Sequence, residues 1–163
     1  ILRLNLKNFC QNLEKLKPLS GRGEIVKIKK GSKNIILIDE SYNSSPVALI
    51  SAIENLNQKK FESNQKILVI GDMLELGEFS YEYHKKIIPI VIQAQPRVVI
   101  TVGKISEIIS KNLPKNIKTF HFKKVIYVYN KLIKEIKHND LVMIKGSNSI
   151  KLSRISRALC EEN

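Results

Sequence analysis

Three short runs of unbroken apolar residues constrain this chain most: Ile67-Leu68-Val69-Ile70, Val98-Val99-Ile100 and Leu141-Val142-Met143-Ile144. A strand with one face in water alternates apolar and polar side chains. These runs do not alternate, so both faces of each strand must be covered, as in a parallel sheet packed between helices. A weaker run over residues 117–122 fits a further strand. Between the runs, residues 46–57, 81–94, 105–111, 125–137 and 151–160 read as helices. Pro46 suits a first helical turn. Pro89 falls inside the second helix and should kink or split it.

Upstream, residues 24–29 alternate imperfectly, Lys30-Gly31-Ser32 forms a turn, and Ile35-Ile36-Leu37-Ile38 follows as an apolar run. This reads as a β-hairpin leading into a buried strand. The expectation is an α/β fold: an open, mostly parallel sheet of about six strands, with helices on both faces and the first strand antiparallel at the edge. Earlier still, Leu2, Leu6, Phe9, Leu13 and Leu16 recur at helical spacing before Pro18 and Ser20-Gly21 end the pattern.

The 163 residues suffice for one domain with a modest core. No apolar run is long enough for a membrane-spanning helix, and residues 1–17 lack the apolar stretch of a signal peptide. Cys10 and Cys160 lie in no CxxC pair and near no His at metal spacing, which suits free thiols and a reducing cytoplasm. The net charge of +13 invites a nucleic-acid reading. However, the lysines are spread along the chain, Trp is absent and aromatics make up 6%, so stacking platforms for bases are scarce. Neither nucleic acid nor a membrane is expected as a partner.

Open α/β sheets bind ligands beyond the carboxyl ends of their strands, where strand order reverses. The strand exits are Asp39-Glu40-Ser41-Tyr42-Asn43, Gly71-Asp72-Met73, Gly103-Lys104 and Lys145-Gly146-Ser147. Three of them carry a Gly, which permits a tight turn and close approach of a ligand to the backbone, although a Gly after a strand is commonly only a turn. The chain contains neither GxGxxG nor GxxxxGK[ST]. His84, His121 and His138 are scattered and make no zinc set, so packing or surface roles suit them better. From the residues alone, the strand-end crevice suits a phosphorylated or charged small ligand.

Four segments, in order, narrow this. They are Gly-Arg-Gly-Glu at 21–24, Asp-Glu-Ser-Tyr-Asn-Ser-Ser-Pro at 39–46, Gly-Asp-Met-Leu-Glu-Leu-Gly at 71–77 and Lys-Gly-Ser at 145–147. The set resembles the Mur ligase family, in the branch that attaches D-alanyl-D-alanine to UDP-N-acetylmuramoyl-tripeptide. The second segment is similar to its DDSYNANP signature and the third to its GDMxELG signature. The resemblance implies a Rossmann-like C-terminal domain over residues 18–163, with residues 1–17 ending a preceding central domain that holds ATP. It further implies a cytoplasmic enzyme of peptidoglycan precursor synthesis, active through an acyl phosphate, with Mg²⁺ held mainly by the central domain. The partners implied are the N-terminal and central domains, the UDP-linked tripeptide and the dipeptide.

By the same resemblance Arg22 is the catalytic residue and touches ATP phosphate, where a guanidinium fork suits developing charge. Asp39, Glu40, Tyr42 and Asn43 join it in holding the nucleotide. Glu40 departs from the usual Asp of that pair. Asp72, Met73 and Glu75 are expected at the dipeptide, where a carboxylate can hold the incoming ammonium group; helix capping is the competing role for Asp72. Lys145, Gly146 and Ser147 are also expected at substrate, though Asn148 stands where the family often has Arg. The isolated 163 residues are expected to be inactive. A related ligase of other amino-acid specificity, such as a folylpolyglutamate enzyme, and a stand-alone nucleotide-binding module remain the alternatives.

Overall fold

The structure is a computed structural model that describes residues 19–58 and 65–161. The helical pattern at residues 2–16 and the expected boundary near residue 17 lie outside the described residues. Two strands, β1 (Glu24–Lys30) and β2 (Lys33–Glu40), form the expected antiparallel hairpin, closed at Lys30↔Lys33. Gly31 turns it with φ +58, a conformation that costs glycine little. Beyond the hairpin come α1 (Pro46–Gln58), β3 (Gln65–Gly71), α2 (Ser80–Ala94), β4 (Val98–Val102), α3 (Glu107–Lys111), β5 (Lys118–Phe122), α4 (Val128–Glu135), β6 (Asp140–Lys145) and α5 (Ser153–Glu161).

The six strands lie in the order β1-β2-β6-β3-β4-β5. All neighbours are parallel except β1 and β2. The last strand in sequence is therefore inserted between β2 and β3, and every residue of β6 is buried. Successive side chains of these strands face opposite layers. Ile67, Val69, Val142 and Ile144 pack with Val128, Leu132, Ile155 and Leu159 of α4 and α5. Leu68, Ile70, Leu141 and Met143 pack with Leu49, Ile53, Ile87, Val91 and Ile109 of α1, α2 and α3. Unbroken apolar runs thus fill two cores at once, one on each side of the sheet.

Some boundaries differ from expectation. Pro89 does not split α2, which runs as one helix from Ser80 to Ala94. Ile87 and Val91, fully buried on either side of the proline, anchor both halves to the sheet. The loss of one N–H is offset by that burial. Residues 125–127 and 148–150 are single 3₁₀ turns that precede α4 and α5. Lys151, with φ +62, breaks the expected continuous helix from 151, so α5 begins at Ser153. Among the described residues, no helix is long and apolar enough to cross a membrane.

The amino ends of β4, β5 and β6 are tied by charge. Arg97 Nη2 donates to Asp140 Oδ2 at 2.6 Å and to the Glu135 carbonyl at 2.8 Å. Lys118 and Lys131 both reach the Glu135 carboxylate, at 2.8 and 3.0 Å. Burial pushes that carboxyl up, but hydrogen bonds and charge from the two lysines outweigh it and hold the group below the usual glutamate range.

Candidate functional site

Strand order reverses at β6, whose carboxyl end is flanked by those of β2 and β3. Three loops meet there: residues 41–45, 72–76 and 146–147. They meet closely because Gly71 and Gly146 leave room. A Cβ on Gly146 would lie 2.9 Å from Gly71 Cα and 2.8 Å from Leu152 Cδ1. Neither glycine needs an unusual φ; what the site needs is the missing side chain.

Arg22 sits on the approach to β1, between Gly21 (φ +76) and Gly23 (φ +84). Two hydrogen bonds fix this segment on the β2 exit: Gly23 N–H to the Asp39 carbonyl at 2.8 Å and Tyr42 N–H to the Gly21 carbonyl at 3.0 Å. A side chain on Gly21 would come within 2.9 Å of Tyr42 N, so glycine is required for that contact. The exposed Arg22 guanidinium lies over the Tyr42 ring, 3.9 Å from its centroid. Beside them opens a hollow of about 300 Å³ lined by Arg22, Glu40, Tyr42, Asn43, Ser45 and Lys145, among others. The buried Lys145 ammonium donates to the Asn43 carbonyl at 3.0 Å and pairs with Glu40 Oε2 at 3.4 Å. Among the described residues, the wall thus has an exposed guanidinium stacked on a ring and one lysine already engaged by protein oxygens.

The two carboxylates of the Asp-Glu pair have different surroundings. Asp39 is buried, and its Oδ1 accepts from Ser41 N–H at 3.0 Å and Ser156 Oγ at 2.9 Å. It ties the β2 exit to α5. Glu40 is partly exposed and faces the hollow. Near Asp39, the Cys160 thiol is pushed up by burial and then by the charges of Asp39, Glu24 and Glu161, which disfavours a thiolate.

The 71–77 segment is held from within. The buried Asp72 carboxylate accepts N–H groups of Lys104, Ile105 and Ser106, the shortest contacts being 2.7 Å. It caps the turn into α3, and Gly103 leaves it space: a Cβ there would overlap the Asp72 carboxylate. Met73 is fully buried. Its N–H donates to His84 Nε2 at 3.0 Å. Leu74 N–H donates to Ser147 Oγ at 2.8 Å, and Ser147 Oγ reaches the Ser44 carbonyl at 3.5 Å. Of the expected substrate residues, only Glu75 is exposed on this loop, with φ +63.

The structure thus brings Arg22, Glu40, Tyr42, Asn43 and Lys145 together around one hollow. It turns Asp39, Asp72, Met73 and Ser147 inward, where they shape the loops. His84, expected from sequence in a packing or surface role, is buried and hydrogen-bonded, and Ser156 carries a hydrogen bond that sequence reasoning left unassigned. Ser156 lies on a distant helix, α5, and no sequence signal marks it. Among the described residues, no group of three or more His, Cys, Asp and Glu converges on a metal position.

Comparison with known proteins identifies the family. The family described as Mur ligase, glutamate ligase domain, matches residues 21–148. The UDP-N-acetylmuramoyl-tripeptide–D-alanyl-D-alanine ligase of Rickettsia prowazekii (strain Madrid E) is 31% identical over 155 residues, covering 95% of this chain and 33% of the relative. The ligase of the same name from Buchnera aphidicola subsp. Acyrthosiphon pisum (strain APS) is 36% identical over 130 residues, covering 80% and 28%. The crystal structure of the MurF ligase of Thermotoga maritima in complex with ADP is similar with a TM-score of 0.73 and 26% identity, over 91% of this chain and 32% of that one. The chain spans about a third of the length of the curated relatives it matches. With its family pattern running from the Gly21 turn, through the hairpin-led sheet, to the loop after β6, the chain belongs to the Mur ligase, glutamate ligase domain family.

Proposed function

We propose that this chain is the C-terminal domain, over residues 18–163, of a cytoplasmic ATP-dependent ligase that joins D-alanyl-D-alanine to UDP-N-acetylmuramoyl-tripeptide in peptidoglycan precursor synthesis. Residues 1–17 would end the central domain. The observation that carries the reading is the Arg22 guanidinium, exposed and stacked on Tyr42 at the lip of the strand-end hollow. The names shared by its relatives support the choice of dipeptide. The ADP in the Thermotoga maritima ligase supports the choice of nucleotide.

In this reading the domain closes over ATP held by the central domain. Arg22 neutralises charge on the transferring phosphoryl group as the tripeptide carboxylate becomes an acyl phosphate. Glu40, Tyr42 and Asn43 line the nucleotide side, and Lys145 fixes the Asn43 backbone there. Glu75 meets the dipeptide ammonium, while Asp72, Met73, Gly146 and Ser147 shape the loop that presents it. The dipeptide amine then attacks the acyl carbon, and collapse yields amide and phosphate. Mg²⁺ would be held by the phosphates and the central domain.

A steady-state assay of the full-length protein with ATP, the UDP-linked tripeptide and candidate dipeptides tests this. D-alanyl-D-alanine should be the preferred acceptor, and Arg22→Ala should lower kcat by about 100-fold, the order of losing one transition-state charge stabiliser. Unchanged turnover in Arg22→Ala would remove that residue from the reaction.

A further inference from the structure

His84 has no place in the chemistry above, yet it is fully buried and both of its ring nitrogens are engaged. Nδ1 lies 2.7 Å from the Ser80 carbonyl, an acceptor, so Nδ1 carries the proton. Nε2 is then the acceptor for Met73 N–H at 3.0 Å. One neutral tautomer satisfies both contacts. The ring therefore bridges the first turn of α2 to the strand-exit loop.

The next amide along that loop is held in the same way, with Leu74 N–H donating to Ser147 Oγ at 2.8 Å. Just before it, Asp72 is locked by three N–H groups from the β4 exit. Three successive residues are thus fixed by side-chain contacts. The fourth is Glu75, exposed and in the left-handed region at φ +63, which costs a non-glycine residue energy and persists only where the surrounding structure holds it. The anchoring of 72–74 fixes the chain on its amino side.

We infer that His84 is a positioning residue: it holds the Met73 backbone so that Glu75 stays aimed at the incoming amine. The inference rests on Glu75 being the dipeptide contact. Its action is on the geometry of one substrate subsite: among the described residues its hydrogen bonds go to Met73 and Ser80, not to Arg22, Tyr42 or Asn43 on the nucleotide side.

The test uses the full-length protein. His84→Leu keeps apolar volume but leaves Met73 N–H without an acceptor, whereas His84→Gln can present an amide oxygen in its place. His84→Leu should raise KM for D-alanyl-D-alanine about tenfold with KM for ATP within about twofold, and His84→Gln should recover most of the loss. Amide hydrogen exchange over residues 73–77 should quicken in His84→Leu. Equal rises in both KM values, unchanged exchange, or a Gln variant no better than Leu would overturn the inference. If His84→Leu does not fold, imidazole nitrogen shifts of the wild-type protein decide the matter. A neutral ring protonated at Nδ1, with a slowly exchanging Met73 amide, supports the bridge; the other tautomer, or fast exchange, overturns it. Wild-type turnover of the dipeptide judges the proposed reaction, whereas exchange and nitrogen shifts judge His84 independently of it.

Discussion

The guanidinium carbon of Arg22 lies 3.9 Å from the centroid of the Tyr42 ring. Tyr42 itself is held by its backbone N–H on the Gly21 carbonyl, so the arginine and the ring beneath it belong to one hydrogen-bonded turn. A cation over an aromatic face at an exposed site contributes about 0.5–1 kcal/mol. That offsets part of the roughly 2 kcal/mol of rotamer entropy that an ordered arginine side chain loses.

Tyr42→Ala should therefore raise KM for ATP by about two- to fivefold, the equivalent of that stacking energy, while Tyr42→Phe should stay near wild type. Initial-rate measurements on the full-length protein at varied ATP check this. A Phe variant as impaired as the Ala variant would point to the hydroxyl instead.

Asp72 should matter first for stability. Asp72→Ala strands the N–H groups of Lys104, Ile105 and Ser106 at the turn into α3. The expected loss is about 2–4 kcal/mol, since hydrogen bonds to a charged acceptor are stronger than neutral ones and unsatisfied buried donors are costly. Urea denaturation of the 163-residue chain measures it. A midpoint unchanged from wild type would show that the turn holds without the carboxylate.

Gly146→Ala should destabilise the chain by about 1–3 kcal/mol, because the new methyl meets Gly71 backbone at 2.9 Å where β3 and β6 end side by side. Gly31→Ala gives a contrast: nothing lies within 4 Å of its Cβ, and only the φ of +58 resists. Its cost should be about 1 kcal/mol. Thermal unfolding of both variants, compared in one buffer, should show the larger fall for Gly146→Ala.

Acid should act through Glu135. Its folded value is held below the ordinary one by Lys118 and Lys131 against the opposing effect of burial. A depressed carboxyl contributes stability that is complete above the unfolded glutamate pKa of about 4.3. That contribution is lost as pH falls through the folded value. The stability of Glu135→Gln should therefore depend less on pH below about 4.3 than that of wild type, read from urea midpoints at stepped pH.

Much of the sheet was readable because buried parallel strands leave continuous apolar runs, and Ile67–Ile70 and Leu141–Ile144 lie in β3 and β6. Helix ends were less readable. Lys151 adopts φ +62 as it closes the 148–150 turn, its N–H on the Asn148 carbonyl, and a lysine carries no sequence sign of a left-handed position. At the site, Arg22, Glu40, Tyr42 and Asn43 stand at a hollow in segments that sequence had singled out. Sequence did not separate residues that face the hollow from those that shape it. Asp39 and Glu40 are adjacent and both acidic; strand alternation sends them to opposite faces, and the Ser41 N–H and the distant Ser156 hydroxyl hold Asp39 inward.

The insertion of β6 between β2 and β3 also governs how the domain can be made. On a ribosome, the hairpin and the β3-to-β5 half are synthesised well before the strand that joins them. Until residues 140–145 emerge, two partial sheets expose unpaired inner edges, which invite pairing with other chains. Assembly must therefore wait for distant contacts, which slows it.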